Sequence, residues 1–321
     1  MSEFDLINQY FKPACTSRND VVLGIGDDCA LLSPVAGKQL AVSTDTLIAG
    51  VHFPENTQAV DIGYKSLAVN LSDLAAMGAD PAWVSLAISL PEENHQWLQE
   101  FMQGFSLLAN SHDISLIGGD TTHGPLSVTI SVTGYIEPDK ALKRSRAKVG
   151  DLIYTTGFIG DAAAGLSLVL NDIQPQSYSQ YLIERLNRPT PRIAAGQVLK
   201  KYSVAAIDVS DGLLADLGHI CKASNAGAEI NLHNIPLSKE LTGYYREKPE
   251  WHKILNAGDD YELCFTCPVE SENMMLADMQ AIDMSVSKIG RVISKRGISC
   301  LLNNEILDIQ PSGYNHFQNE K

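Results

Sequence analysis

Positive charge is scarce in this chain. Its 321 residues carry 24 Lys and Arg against 38 Asp and Glu, a formal net charge of −14. Binding a nucleic-acid backbone needs clustered cations, so nucleic acid is not an expected partner. Small phosphorylated ligands stay open, provided that metal ions mediate. Long apolar runs are also missing, since none approaches the ~20 residues that span a bilayer. The opening MSEFDLINQYF is acidic and has neither a basic n-region nor a long apolar h-region. These absences lead us to expect a cytoplasmic protein with no membrane partner.

Clustered soft ligands are lacking too. The six cysteines are scattered, and only Cys264 and Cys267 have CxxC spacing. A single such pair, set in the apolar ELCFTC and followed by Pro268, reads better as part of a strand than as a zinc or redox site. Nor do the histidines cluster; His52 is the one close to an acidic motif. The common nucleotide signatures are absent. There is no GxxxxGK(S/T), which excludes a P-loop, and no HRD and DFG set, which excludes a protein kinase. Gly157-Phe158-Ile159-Gly160 lacks the GxGxxG spacing, and DVSDG spaces its aspartates three apart, not the two of an aspartyl-phosphate motif.

What is present begins with enough apolar residues, 45%, for substantial cores. The length suggests two domains. Periodicity and stop signals predict helices at Glu3–Phe11, Val60–Met77, His95–Ser111, Asp161–Leu170 and Leu213–Ala223, with another after Pro191. Strands are expected at Gln39–Ser43, Trp83–Ser89, Ser115–Ile117, Ser127–Ile136, Leu152–Thr156, Val204–Ile207 and Glu229–Leu232. The polar, basic stretch Glu137–Gly150 is the best linker candidate. This alternation places two α/β-type halves on either side of it.

Aspartates recur where apolar strands give way to small residues. Asp27 and Asp28 lie in GIGDDCALL, Asp45 in STDT, Asp120 in GGDTT, Asp208 and Asp211 in DVSDG, and Asp259 and Asp260 in GDDYE. Asp45 is expected at a strand end and Asp120 just past one, on a sheet rim where sites gather. Any one of these could be a cap or turn former. Asp211 could cap the helix after Gly212, and Asp61 is an ordinary helix-start residue. Asp73 is different: it sits inside an apolar helix, on the same face as Asn70. The glycines before Asp120 would let a backbone come close to a ligand. Together the carboxylates, with Ser and Thr hydroxyls, form a hard oxygen set suited to Mg²⁺ completed by water and substrate phosphates. Composition and spacing reach as far as metal-dependent phosphate chemistry. Adjacent Asp27 and Asp28 then need borrowed cations, with Ala30, Leu31 and Leu32 expected to anchor their loop in the core.

The motifs GIGDDCALL, STDTLIAGVHF, NLSDLAAMGADP, GGDTT, RSRAKVGD, DVSDGLLADL, GDDYEL and GYNHF, in this order from Glu3 to Phe317, resemble those of the thiamine-monophosphate kinases. That family lies within the aminoimidazole-ribonucleotide synthetase superfamily. The resemblance implies an α+β fold of two mixed α/β domains. An N-terminal domain over 1–138 would bind ATP and Mg²⁺ and pair its sheet with that of a second subunit in a homodimer. A C-terminal domain over 149–321 would complete the nucleotide and substrate site. The implied reaction is ATP plus thiamine monophosphate giving thiamine diphosphate plus ADP, by direct in-line attack of a substrate phosphate oxygen, assisted by several Mg²⁺ ions.

Carried over by position, the resemblance makes Asp28, Ser43, Thr44, Asp45, Asp73, Asp120, Asp208 and Asp211 metal ligands. Gly119, Asp120, Arg144 and Ser210 match nucleotide contacts, with Arg144 also able to stabilise charge. His52, Glu262 and Tyr314 match substrate contacts, Tyr314 by stacking on a ring. Asp27 is a water-mediated neighbour at most. Met102 takes a position near adenine where the family often has Tyr. The rival readings are a sister enzyme making selenophosphate or aminoimidazole ribonucleotide, and a cation-binding module without catalysis. Lys12 and Cys15 are not set in the glycine-rich loop that the selenophosphate enzymes carry.

Overall fold

The computed structural model describes residues 3–14, 16–171, 174–202 and 204–313. The chain divides into two compact units, Met1–Leu74 with Ala79–Asp139, and Ala75–Gly78 with Lys140–Lys321.

The first unit opens with α1 (Glu3–Leu6), which continues as a π-helical turn over Ile7–Phe11. A small antiparallel pair follows, β1 (Val21–Leu23) and β2 (Leu31–Leu32). Then come β3 (Gln39–Ile48), α2 (Ala59–Met77), β4 (Asp80–Leu90), α3 (His95–Ser111), β5 (Ser115–His123) and β6 (Ser127–Ile136). The four long strands form one sheet in the order β3-β6-β4-β5, with only β4 and β5 parallel. The last turn of α2 belongs with the second unit.

Local chemistry accounts for α3. Asn94 caps it by accepting the Trp97 amide at 3.0 Å. Leu98, Phe101, Met102, Phe105, Leu108 and Ala109 form a buried stripe at helical spacing. Helices α2 and α3 touch backbone to backbone: a Cβ on Gly63 would lie 1.9 Å from the Phe101 carbonyl oxygen, and one on Gly104 1.8 Å from that of Val60. Alternation sorts the sheet into two faces. Leu47, Leu86, Ile88, Val128, Ile130 and Val132 are buried on one. Leu40, Val42, Thr44, Thr46 and Ile48 of β3 are exposed on the other.

The second unit holds β7 (Leu152–Thr156), α4 (Asp161–Leu170), α5 (Ser179–Asn187), α6 (Ile193–Leu199), β8 (Ala206–Asp208), α7 (Leu213–Ala223) and β9 (Gly227–Asn231). It goes on with α8 (Lys239–Tyr244), α9 (Trp251–Asn256), β10 (Leu263–Cys267), α10 (Glu272–Gln280), β11 (Val286–Ile293), β12 (Gly297–Leu302) and β13 (Glu305–Leu307). Its seven strands run in the order β13-β12-β9-β11-β7-β10-β8. The core, with Ile207, Leu213, Leu217, Ile230, Leu255 and Ile289, sits against this sheet. Among the described residues no helix is long and apolar enough to cross a membrane.

Two expectations need correction and a third holds. Asp45 and Asp120 lie inside β3 and β5, not at or past a strand end. Both strands run on through Ser, Thr and Gly, because pairing with β6 and β4 satisfies their backbones where apolar alternation stops. Leu31 is 55% exposed, and only Leu32 of the proposed anchor packs inward, against Trp83 and Tyr135. Cys264 and Cys267 are the strand residues that the apolar context suggested: both are buried, free thiols of β10.

Candidate active site

Three of the sequence-derived ligands converge where β3 meets α2. The Ser43 hydroxyl donates to Asp73 Oδ2 at 2.5 Å, and the Asp45 amide donates to Asn70 Oδ1 at 3.1 Å. Asn70 is itself buried and donates to the Ser66 carbonyl. Burial, then the charge and hydrogen bond of Asp73, raise the Asp45 carboxyl well above the usual carboxylate range. Two neighbouring carboxylates with a hydroxyl beside them are a donor set that fits Mg²⁺, which takes oxygen ligands and keeps several waters.

The other acids of this unit lie elsewhere. Asp45, Ile130, Leu86 and Gly119 form one cross-sheet row on the helix-covered face. Thr46, Thr129, Ala87 and Asp120 form the neighbouring row on the opposite face. With about 4.8 Å between strands, Asp120 is three strand steps, roughly 14 Å, from the β3 edge. Thr44 shares the outer face, where its hydroxyl donates to Ser131 Oγ at 2.8 Å. The oxygen ligands therefore do not form one cluster within this unit. Among the described residues, no three His, Cys, Asp or Glu side chains gather around a single metal-sized point.

The GIGDD loop separates its two acids. Asp27 Oδ1 accepts the Asp28 amide at 2.9 Å, a local turn bond, while the Asp28 side chain is exposed. The glycines before Asp120 also differ. A Cβ on Gly119 would lie 1.7 Å from the Leu86 carbonyl oxygen, whereas Gly118 has open space. Gly119 is thus required by its own sheet, while Gly118 has open space beside it. Met102 is 5% exposed in the α2–α3 core.

His52 belongs to a tight loop after β3. Its Nδ1 accepts the Ile48 amide at 3.0 Å, which in the neutral ring leaves the proton on Nε2. Lys65, 2% exposed, donates to the His52 carbonyl at 3.4 Å.

In the second unit, Asp208 ends β8 and is 5% exposed. Asp211 does not cap α7; the cap residue is Gly212, with no side-chain bond. The acid that organises this turn is one that sequence reasoning missed. Asp216, 3% exposed, accepts the amides of Ser210 and Asp211, each at 3.0 Å. Burial is the main cause that pushes its carboxyl up to about 7. Its signal was there, because Leu213, Asp216, Leu217 and Ile220 share the apolar stripe of α7. Arg144 is exposed on a 3-10 turn whose carbonyl accepts Ser224 Oγ at 2.8 Å.

Glu262 is fully buried, with both carboxylate oxygens engaged. Arg192 grips it through Nε at 2.6 Å and Nη2 at 2.5 Å, Arg185 Nη2 donates at 2.9 Å, and Thr156 Oγ1 at 2.6 Å. Sequence reasoning singled out neither arginine. Asp260 beside it accepts the amides of Gly160 and Ala162 and so caps α4 from 100 positions away. Tyr314, the third expected substrate contact, lies outside the described residues.

Residues 26–136 match the family "AIR synthase related protein, N-terminal domain", and 148–303 match its C-terminal domain. The thiamine-monophosphate kinase of Salmonella typhimurium is 46% identical over 318 residues, 98% of each chain. A solved thiamine-monophosphate kinase from Stenotrophomonas maltophilia K279a superposes with TM-score 0.85 at 45% identity, covering 94% of this chain and 96% of that one. A structure of AaThiL complexed with AMPPCP and TMP superposes with TM-score 0.79 at 30% identity, covering 98% and 97%.

Proposed function

The chain belongs to the thiamine-monophosphate kinases, and we propose that it moves the γ-phosphoryl group of ATP in line onto the phosphate of thiamine monophosphate with Mg²⁺ assistance. The overall reaction is that of its relatives: ATP and thiamine monophosphate go to ADP and thiamine diphosphate. The observation that carries the mechanism is the Ser43–Asp45–Asp73 convergence, a hard oxygen set in a protein of net charge −14. Such a site repels ATP, which carries about four negative charges, unless divalent cations intervene.

Asp45, Asp73 and Ser43 would hold one Mg²⁺ position, with Asp28, Thr44, Asp120, Asp208 and Asp211 as further ligands. Bound there, Mg²⁺ supplies neutralisation of the charge on the transferring phosphates. Gly119, Asp120, Arg144 and Ser210 serve the nucleotide, and Arg144 meets developing charge. His52, Glu262 and Tyr314 serve thiamine monophosphate. Glu262 does so through the arginines that it orients, since its own oxygens are engaged. The acceptor phosphate is already ionised near neutral pH, so no strong base is required. Positioning and electrostatics carry the rate. The setting is cytoplasmic.

Two copies pair through the outer face of the β3-β6-β4-β5 sheet. That face exposes Leu40 (47%), Val42 (64%) and Ile48 (41%) along β3 among threonines and serines, an apolar stripe that a second copy would cover. Sedimentation of the wild type is expected to give twice the 34.9 kDa chain mass, and Val42→Asp to give a monomer. A monomeric wild type would remove this part of the proposal.

A coupled ADP-release assay tests the function. Turnover is expected only with ATP, thiamine monophosphate and Mg²⁺ together, and turnover with selenide in place of thiamine monophosphate would favour the sister enzyme. Asp28→Ala and Asp120→Ala, both at exposed positions, are expected to abolish turnover while circular dichroism stays that of the wild type. Near-normal activity in either variant removes that residue from the site.

A further inference from the structure

We propose that Asp216 is a positioning residue for the phosphoryl-transfer site: its buried carboxylate holds the Ser210–Asp211 backbone and so sets the direction of two side chains that bind nucleotide and metal. The inference rests on the reading of Ser210 and Asp211 given above.

The turn between β8 and α7 carries both residues, and its backbone is held on two sides. On the carbonyl side, Ser210 O accepts the Asp259 amide at 3.0 Å and Val209 O accepts that of Tyr261 at 2.9 Å. The Val209 amide donates to the Glu262 carbonyl at 2.8 Å. The approach is close enough that a Cβ on Gly258 would lie 1.8 Å from Ser210 O. On the amide side, two successive N–H groups, those of Ser210 and Asp211, converge on Asp216 Oδ2.

Successive amides converging in a turn form a concavity that binds anions. Here the chain's own carboxylate fills it. The turn's N–H groups are therefore withheld from phosphate oxygens, and with Ser210 O also taken, Ser210 meets nucleotide through its hydroxyl. With both backbone sides fixed, the Cα–Cβ directions of Ser210 and Asp211 are set before any ligand arrives. That is preorganisation of a ligand by its supporting residue.

The role is hydrogen-bond acceptance at one place, so side-chain chemistry separates it from a general need for stability. In Asp216→Ala, the two amides lose their acceptor and the turn relaxes. Mg²⁺ titrated calorimetrically into the protein is expected to bind about 10–100-fold more weakly. The KM for Mg·ATP should rise with it, while the KM for thiamine monophosphate stays that of the wild type. Asp216→Asn keeps an acceptor oxygen without the charge and is expected to restore most of the Mg²⁺ affinity. Asp216→Glu keeps the charge but displaces it by one methylene, and is expected to behave like the alanine variant; it stands in if that variant does not fold. Unchanged Mg²⁺ affinity in Asp216→Ala or Asp216→Glu overturns the proposal, as does an asparagine variant no better than alanine. Asp211→Ala is the control. If it binds Mg²⁺ as tightly as the wild type, the metal reading of Asp211 fails; if it weakens binding and Asp216→Ala does not, only the positioning role fails.

Discussion

Asp73→Asn is expected to lower kcat/KM about 10²–10³-fold and to leave the protein no less stable than the wild type. The substitution keeps an oxygen to accept the Ser43 hydroxyl, so the β3–α2 contact survives. It removes the neighbouring carboxylate whose charge, after burial, raises Asp45. Without Asp73's charge, Asp45 loses that part of its rise and keeps the part due to burial, and the metal-free protein is relieved of a like-charge pair. Activity falls for the same reason, because the site loses a charge that would hold the cation. Thermal unfolding in chelator, beside steady-state kinetics, reads both effects. A variant that is less stable and fully active would mean that the Asp45–Asp73 pair is structural.

The second large effect concerns stability. Glu262→Gln leaves Arg192, 17% exposed at the side chain, facing an amide in place of its counter-charge, while Arg185 loses its nearest carboxylate and keeps Asp161 at 3.8 Å. Removing one partner of a buried ion pair costs about 3–5 kcal/mol, because the remaining charge is uncompensated. The Gln amide also points N–H donors at groups that can only donate. For a unit of this size the loss corresponds to a fall in Tm of roughly 6–20 °C. Differential scanning calorimetry checks it. A Tm within a degree or two of the wild type would mean that the guanidinium groups find other partners.

These cases show which parts of the molecule were legible in the sequence. Where one periodic pattern ran the length of an element, its bounds came out directly, as for α3, β6, β7, α4 and α7. β3 and β5 were read too short. Their polar residues fall on both faces, Ser43 and Asp45 toward α2 and Thr44, Thr46 and Asp120 outward, so the alternation of apolar residues stops while the hydrogen-bonded ladder continues. The acidic motifs were visible as motifs, and Asp73 stood out because Asp is a poor helix former within an apolar stretch. The same argument applies to Asp216, on the apolar stripe of α7. What the sequence hid was long-range. That Asp260 caps α4, and that Arg185 and Arg192 close on Glu262, depends on residues 70 to 100 positions apart. No local pattern records such pairings. Nor does spacing say that Asp45 and Asp120 face opposite sides of one sheet; register does.

On the proposed mechanism the acidic site positions and neutralises two phosphates for direct attack, with neither a base nor a phosphorylated residue. Transfer from ATP made chiral at the γ-phosphorus with three oxygen isotopes tests it directly. A single in-line displacement predicts inversion of configuration in the thiamine diphosphate formed. Retention would require two displacements through a phosphoenzyme and would contradict the account.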